Sequence, residues 1–258
     1  MGCELSFYFD VRLAFSAPVT EHNFLLRCIP ADAPEQRILS YTLSILPRSA
    51  ATGIGEDAFG NRYCSGRIES AHDEFRYTLQ GTAYRDDTMR SKADPPGFYR
   101  YPSPLTRPTG ELRAFFESVP QGGSPLEYAA GLSARVHEHF SYAPGSTAVS
   151  TTAGEALALS KGVCQDYAHV FIALCRMAGI PARYVSGLPV GEGASHAWAE
   201  VWADGLWHGI DPTRGCAARE GYLKLCVGRD YSDCPLERGV FSGSAMQTQA
   251  VFMKVTDQ

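Results

Sequence analysis

Three short stretches carry residue types that together can perform acyl chemistry: Gly162-Val163-Cys164-Gln165-Asp166-Tyr167-Ala168-His169, Ser195-His196-Ala197-Trp198 and Ile210-Asp211-Pro212-Thr213. A thiolate is a strong nucleophile, an imidazole can take and return its proton, and a carboxylate can hold the imidazole in one tautomer. Such a set would attack an amide carbonyl and form a thioester.

The elements around these residues are legible from periodicity. Tyr167, Val170, Phe171, Leu174 and Ala178 recur at helical spacing, and Gly179 before Ile180-Pro181 is a stop signal. Cys164 is therefore expected in the first turn of a buried helix. Unpaired N–H groups and the macrodipole there favour a thiolate and can hold an oxyanion beside it.

His196 to Ala203 alternates large residues (His196, Trp198, Glu200, Trp202) with small ones, as a strand would. Asp204-Gly205 is a two-residue hairpin signal, and Leu206 to Asp211 forms the return strand. That register sets Trp202 opposite Trp207, Trp198 opposite Asp211 and His196 opposite Thr213. His196 and Asp211 then share one face as diagonal neighbours. A turn one residue longer or shorter would part them.

These motifs, with Ala178-Gly-Ile-Pro-Ala-Arg-Tyr-Val-Ser-Gly187 and the tail stretches Gly228 to Asp233 and Arg238 to Gly243, resemble the bacterial transglutaminase-like superfamily. Asp57-Ala-Phe-Gly-Asn61 and the β-rich first half are similar to the N-terminal region that often precedes its core. The resemblance implies a papain-like core with Cys164 as nucleophile, His196 as general base and acid, and Asp211 as orienter. Where transglutaminases proper carry an oxyanion-holding tryptophan, this sequence has Phe140-Ser141-Tyr142. Tyr142 or Gln165 is then the candidate second donor beside the Cys164 N–H. Ser195, Trp198 and Asp230 are candidates for lining the cleft, although Arg229, Asp230 and Tyr231 equally suit a structural salt-bridge corner.

The fold class expected is α+β: an antiparallel β-sandwich-like domain (1–93), a proline-rich connection (94–110) and a transglutaminase-like catalytic domain (111–258). In the first part, Leu5, Phe7, Phe9, Val11, Leu13 and Phe15 fall at every second position, and strand-like pieces follow at 24–28, 38–46, 63–68 and 74–84. Support, docking or oligomerisation is its expected task, with a homo-oligomer left open. The connection holds Pro95, Pro96, Pro102, Pro104 and Pro108, which forbid a long helix or a central strand. Helices are expected at 111–119, 124–140 and just before Ser160. Gly191 and Gly193 suggest a flexible segment ahead of His196.

Composition limits the alternatives. The 258 residues are 45% hydrophobic and 20% charged, as in soluble globular proteins, and the net charge of −5 argues against nucleic acid. No apolar run is long enough to span a membrane, and with no charged-then-apolar stretch before a cleavage site, no secretory leader is expected. Eight scattered cysteines without a CxxC pair are expected to be reduced and mostly packed, which suits a cytoplasmic address. His137, His139 and His169 lack metal-site spacing, so no metal or cofactor is expected. The expected partner is a peptide or protein carrying an amide acyl donor. The favoured reading is hydrolysis by a Cys-His-Asp peptidase or amidase; acyl transfer to an amine, and a non-catalytic scaffold, are its alternatives.

Overall fold

The structure, a computed structural model, describes residues 2–48, 50–89 and 94–258. In the first half, β1 (Cys3–Leu26), β2 (Gln36–Leu46), β3 (Ala51–Glu56), β4 (Arg62–Ile68) and β5 (His72–Arg85) are all antiparallel to their neighbours. Alternation builds β1 as expected: Leu5, Phe7, Phe9, Val11, Leu13 and Phe15 are buried while their neighbours are not. The two strands expected at 5–15 and 24–28 are one. β1 pairs with β5 up to Ala14, loses regular register before Val19, and pairs with β4 from His22. Pro18 falls within that irregularity, where its missing N–H costs no ladder bond.

The second half contains α1 (Gly110–Glu117), α2 (Pro125–His139), β6 (Ser141–Tyr142), α3 (Ala153–Leu159), β7 (Lys161–Gly162), α4 (Cys164–Met177), β8 (Ala182–Pro189), β9 (Gly191–Gly193), β10 (His196–Ala203), β11 (Leu206–Asp211), β12 (Cys216–Ala217) and β13 (Tyr222–Gly228). Five of these strands form an antiparallel sheet in the order β12-β11-β10-β8-β13. α4 packs on β8 and β10, and its apolar residues share one core with α1, α2 and α3.

The chain then returns to where it began. β14 (Glu237–Ser242) and β15 (Gln247–Asp257) both pair with β1, so residues 237–257 belong to the first sheet and not to the unit expected at 111–258. Most of β15 is exposed, and only Met253 and Val255 face the core. Its alternation is too weak to read. The expected boundary at 93/94 falls against residues 90–93, outside those described.

The proline-rich connection contains two 3-10 turns, Gly97–Arg100 and Pro104–Thr106. It is fastened by buried Arg176 of α4, which donates to the Tyr99, Ala182 and Arg229 carbonyls and to the Ser103 and Thr106 hydroxyls. A buried guanidinium with its donors satisfied by oxygens ties the connection to α4.

Candidate active site

Cys164 is the first residue of α4, preceded by extended Val163 as cap. Asp166 fixes this start: its Oδ2 accepts the Val163 N–H at 2.7 Å and the Thr147 hydroxyl at 2.7 Å. Gly162 is required here, because a Cβ would lie 2.4 Å from Asp166 Oδ2. Residues 165–176 of α4 are buried but Cys164 is only half-buried, so the helix is anchored in the core with its thiol at the surface.

The hairpin has the predicted register, with Trp202 opposite Trp207 and Ala199 opposite Ile210. Asp204 and Gly205 take φ of 52° and 77°, as a tight turn of matching twist demands. His196 and Asp211 therefore emerge on one face, and the His196 Nε2–H donates to Asp211 Oδ2 at 2.7 Å. Cys164 lies near enough to His196 to favour the charged form of its ring.

Asp211 is fully buried. Its Oδ1 accepts the backbone N–H groups of Thr213 at 3.0 Å and Arg214 at 3.1 Å, and Oδ2 also accepts the Tyr222 hydroxyl at 2.9 Å. Burial alone would raise its carboxyl, but the hydrogen bond and charge of His196, with these other donors, outweigh it and hold the group below its ordinary value. For His196, burial opposes the charged form, yet Asp211 and Cys164 push the imidazolium up to about 9. The arrangement thus favours a charged imidazolium between two groups able to carry negative charge. From α2, His137 Nδ1 donates to the Pro212 carbonyl at 3.1 Å and steadies the turn after Asp211.

The remaining predicted residues divide. Ser195 is exposed beside His196. Tyr142 pairs through its backbone with Gly162 and is exposed; burial of part of its ring and then the nearby Cys164 raise its phenol, which keeps it a proton donor. Gln165 instead spends its amide on the Val149 carbonyl at 3.0 Å. Trp198 does not line the cleft. It is fully buried behind His196, edge-on to Tyr222 at 5.2 Å, because the large-residue face of β10 turns into a small core with Val185 and Val227. Asp230 is also buried away from the cleft, accepting the N–H groups of Leu105 and Ser232. With the Arg229–Asp233 ion pair it forms the structural corner. His169 belongs to this corner too, accepting the Tyr231 N–H on Nε2 at 3.1 Å.

Two features escaped the sequence. The segment expected to flex ahead of His196 is clamped: β9 pairs with β15 and Glu192 is ion-paired to Lys254 at 2.6 Å. Tyr222 was not singled out because β13 is buried along its length and gives no alternation, and its contact with Asp211 depends on strand order.

The chain resembles known proteins over both halves. Residues 114–212 match the model of the transglutaminase-like superfamily, and residues 6–83 match that of the bacterial transglutaminase-like N-terminal region. An uncharacterized protein of Mycobacterium leprae is 33% identical over 165 residues, 60% of this chain and 59% of that one. This chain therefore spans little more than half the length of that relative. An uncharacterized protein of Mycobacterium tuberculosis is 29% identical over 253 residues, 82% of this chain and 79% of that one. Among solved structures, a proposed cysteine protease from Cytophaga hutchinsonii superposes with a TM-score of 0.83 at 21% identity, covering 100% of this chain and 91% of that one. That likeness establishes the shared fold.

Proposed function

From the premise that the chain belongs to the transglutaminase-like superfamily, we propose that it is a thiol-dependent peptidase or amidase working through Cys164, His196 and Asp211. One observation carries the reading: His196 Nε2 is hydrogen-bonded to buried Asp211 at 2.7 Å, with Cys164 near enough to act on the charge of the same ring. An imidazole held on one side by a buried carboxylate can exchange a proton with a thiol on the other.

Cys164 Sγ would attack the amide carbonyl carbon, and the oxyanion would take the Cys164 N–H at the helix start. Tyr142 is the better-placed second donor, since the Gln165 amide is already engaged. Collapse breaks the C–N bond as the His196 imidazolium gives its proton to the departing amine, leaving a thioester. His196 then takes a proton from water, whose oxygen attacks the thioester carbonyl. The acid leaves and the proton returns to Cys164. Hydrolysis is favoured over transfer because exposed Ser195 and Tyr142 leave the rim open to solvent. Water needs no binding site of its own, whereas an amine does.

Iodoacetamide labelling near pH 6.5 tests the triad. Cys164 should react about tenfold faster than exposed Cys216, which serves as the internal reference, and Cys164→Ala should lose the fast phase. Equal rates in folded protein would leave only the scaffold reading. Peptide mixtures incubated with and without a primary amine, then read by mass spectrometry, decide the acceptor. Dominant amine adducts would replace hydrolysis by acyl transfer.

A further inference from the structure

Asp211 is held on one oxygen by the turn that follows it and on the other by Tyr222, which arrives from the opposite edge of the sheet. β13 is the edge strand beyond β8, separated from β11 by both β10 and β8, yet the Tyr222 hydroxyl reaches Asp211 Oδ2, the same oxygen that accepts His196. Burial first, then Cys216 and Asp211, raise the phenol well above its ordinary value, so it stays a donor. The ring is packed edge-on to Trp198 and tilted against His196.

The backbone of Tyr222 is held by the other half of the molecule. Arg85, at the end of β5 and only 2% exposed, donates from Nη1 to the Tyr222 carbonyl, while its Nε is ion-paired to Asp87 at 2.9 Å. Arg85 is itself set in the first sheet between Cys3 of β1 and Gln36 of β2.

We infer that Tyr222 is a positioning residue of the triad, and that Arg85 makes it the point at which the N-terminal β region sets the geometry of Asp211 and His196. The inference rests on the catalytic reading above. With only its Oδ1 anchored, the Asp211 carboxylate could turn about its own bond, and Arg214, whose Nε lies 3.9 Å from Oδ2, would compete with His196 for it. Cys216, with Sγ 3.6 Å from the Tyr222 oxygen, is the other ionisable neighbour. Tyr222 touches neither substrate nor the reacting sulfur; it acts through Asp211.

The test is the rate of Cys164 alkylation by iodoacetamide as a function of pH in Tyr222→Phe, which removes one oxygen and keeps the ring. Wild type should show two limbs, one for formation of the thiolate–imidazolium pair and one for loss of the imidazolium proton. In Tyr222→Phe the upper limb should move by about half a pH unit and the plateau between the limbs should fall about threefold to tenfold. The melting temperature should remain close to that of wild type. An upward shift means that charge shared with the phenol returns to the imidazolium; a downward shift means that lost orientation outweighs it. Either supports positioning, and superimposable curves would overturn it. Arg85→Lys should shift the limb in the same sense by less, and adding it to Tyr222→Phe should change little further. Fully additive shifts would sever Arg85 from the assignment. A wild type that titrates as an isolated thiol would instead defeat the catalytic reading itself.

Discussion

At Asp211 all four hydrogen bonds come from donors: His196 and Tyr222 on Oδ2, and the N–H groups of Thr213 and Arg214 on Oδ1. An amide cannot satisfy that environment, because either orientation of an asparagine points its own N–H groups at two donors. Asp211→Asn should therefore lower kcat/KM on the order of a hundredfold or more, with the ring of His196 freed or turned. The pH dependence supplies a sign. Asp211, together with Cys164, raises the imidazolium of His196 from its ordinary 6.5 to about 9, so these contacts stabilise the fold fully below pH 6.5 and that contribution is lost as pH rises through about 9. In Asp211→Asn the alkaline limb of activity should move down toward 6.5, and the decline in melting temperature across the same interval should flatten. An alkaline limb that stayed near 9 would mean that Asp211 does not set the charge on His196. The placement of Cys164, His196 and Asp211 was legible because a helix start and a two-residue hairpin are local signals. Tyr222 was not, since its role depends on which strand lies beside β8.

Among the elements, β13 is the one on which both halves depend. It is an edge of the five-stranded sheet, and its free side is covered by two carboxamides from the first half in place of a strand. Gln36 accepts the Lys224 N–H on Oε1 and donates to the Lys224 carbonyl, both at 2.8 Å; Asn61 does the same for Val227, both at 2.7 Å. Each side chain stands in for one peptide group of a neighbouring strand, which closes the edge without a sixth strand. Asn61→Ala would strand a buried N–H and a buried carbonyl, and should cost about 2–4 kcal/mol in urea unfolding. Asn23→Ala, whose exposed amide touches only the Glu21 carbonyl, should stay within about 0.5 kcal/mol. Equal losses at the two sites would rule out the edge-capping role. Sequence periodicity located α1, α2, α4, β10 and β11 almost to the residue, because each buries a regular face. β3 and β14 were missed for the opposite reason: their residues are largely exposed, so hydrogen bonding to β4 and β1 defines them.

Taken as a whole, the molecule divides less cleanly than its sequence. The chain leaves the first sheet after β5, builds the five-stranded sheet, and comes back to pair β14 and β15 with β1. Leu188, Leu223 and Leu225 of the five-stranded sheet are buried in the same apolar cluster as Phe7, Phe9 and Phe75 of the first half. Beside them a buried charge network crosses the seam, with Lys224 between Glu35 of the first half and Glu200, and Glu200 bound also to Arg183. Burial opposes ionisation of Glu200, yet Arg183 and Lys224 hold it down at about 2. Separating the halves would expose the leucines, open the edge of β13 and leave buried charges without partners, so neither half should persist once the other unfolds. The three tryptophans, Trp198, Trp202 and Trp207, all lie on β10 and β11 and report on the five-stranded sheet alone. Peptides from β1 and β5, followed by hydrogen exchange and mass spectrometry, report on the other half. Across a urea titration, tryptophan fluorescence and protection of β1 and β5 should be lost at one midpoint, as a single cooperative transition requires. Two separated midpoints would show that the halves fold independently, and the N-terminal region would then be an attached module and not a structural part of the unit that carries Cys164, His196 and Asp211.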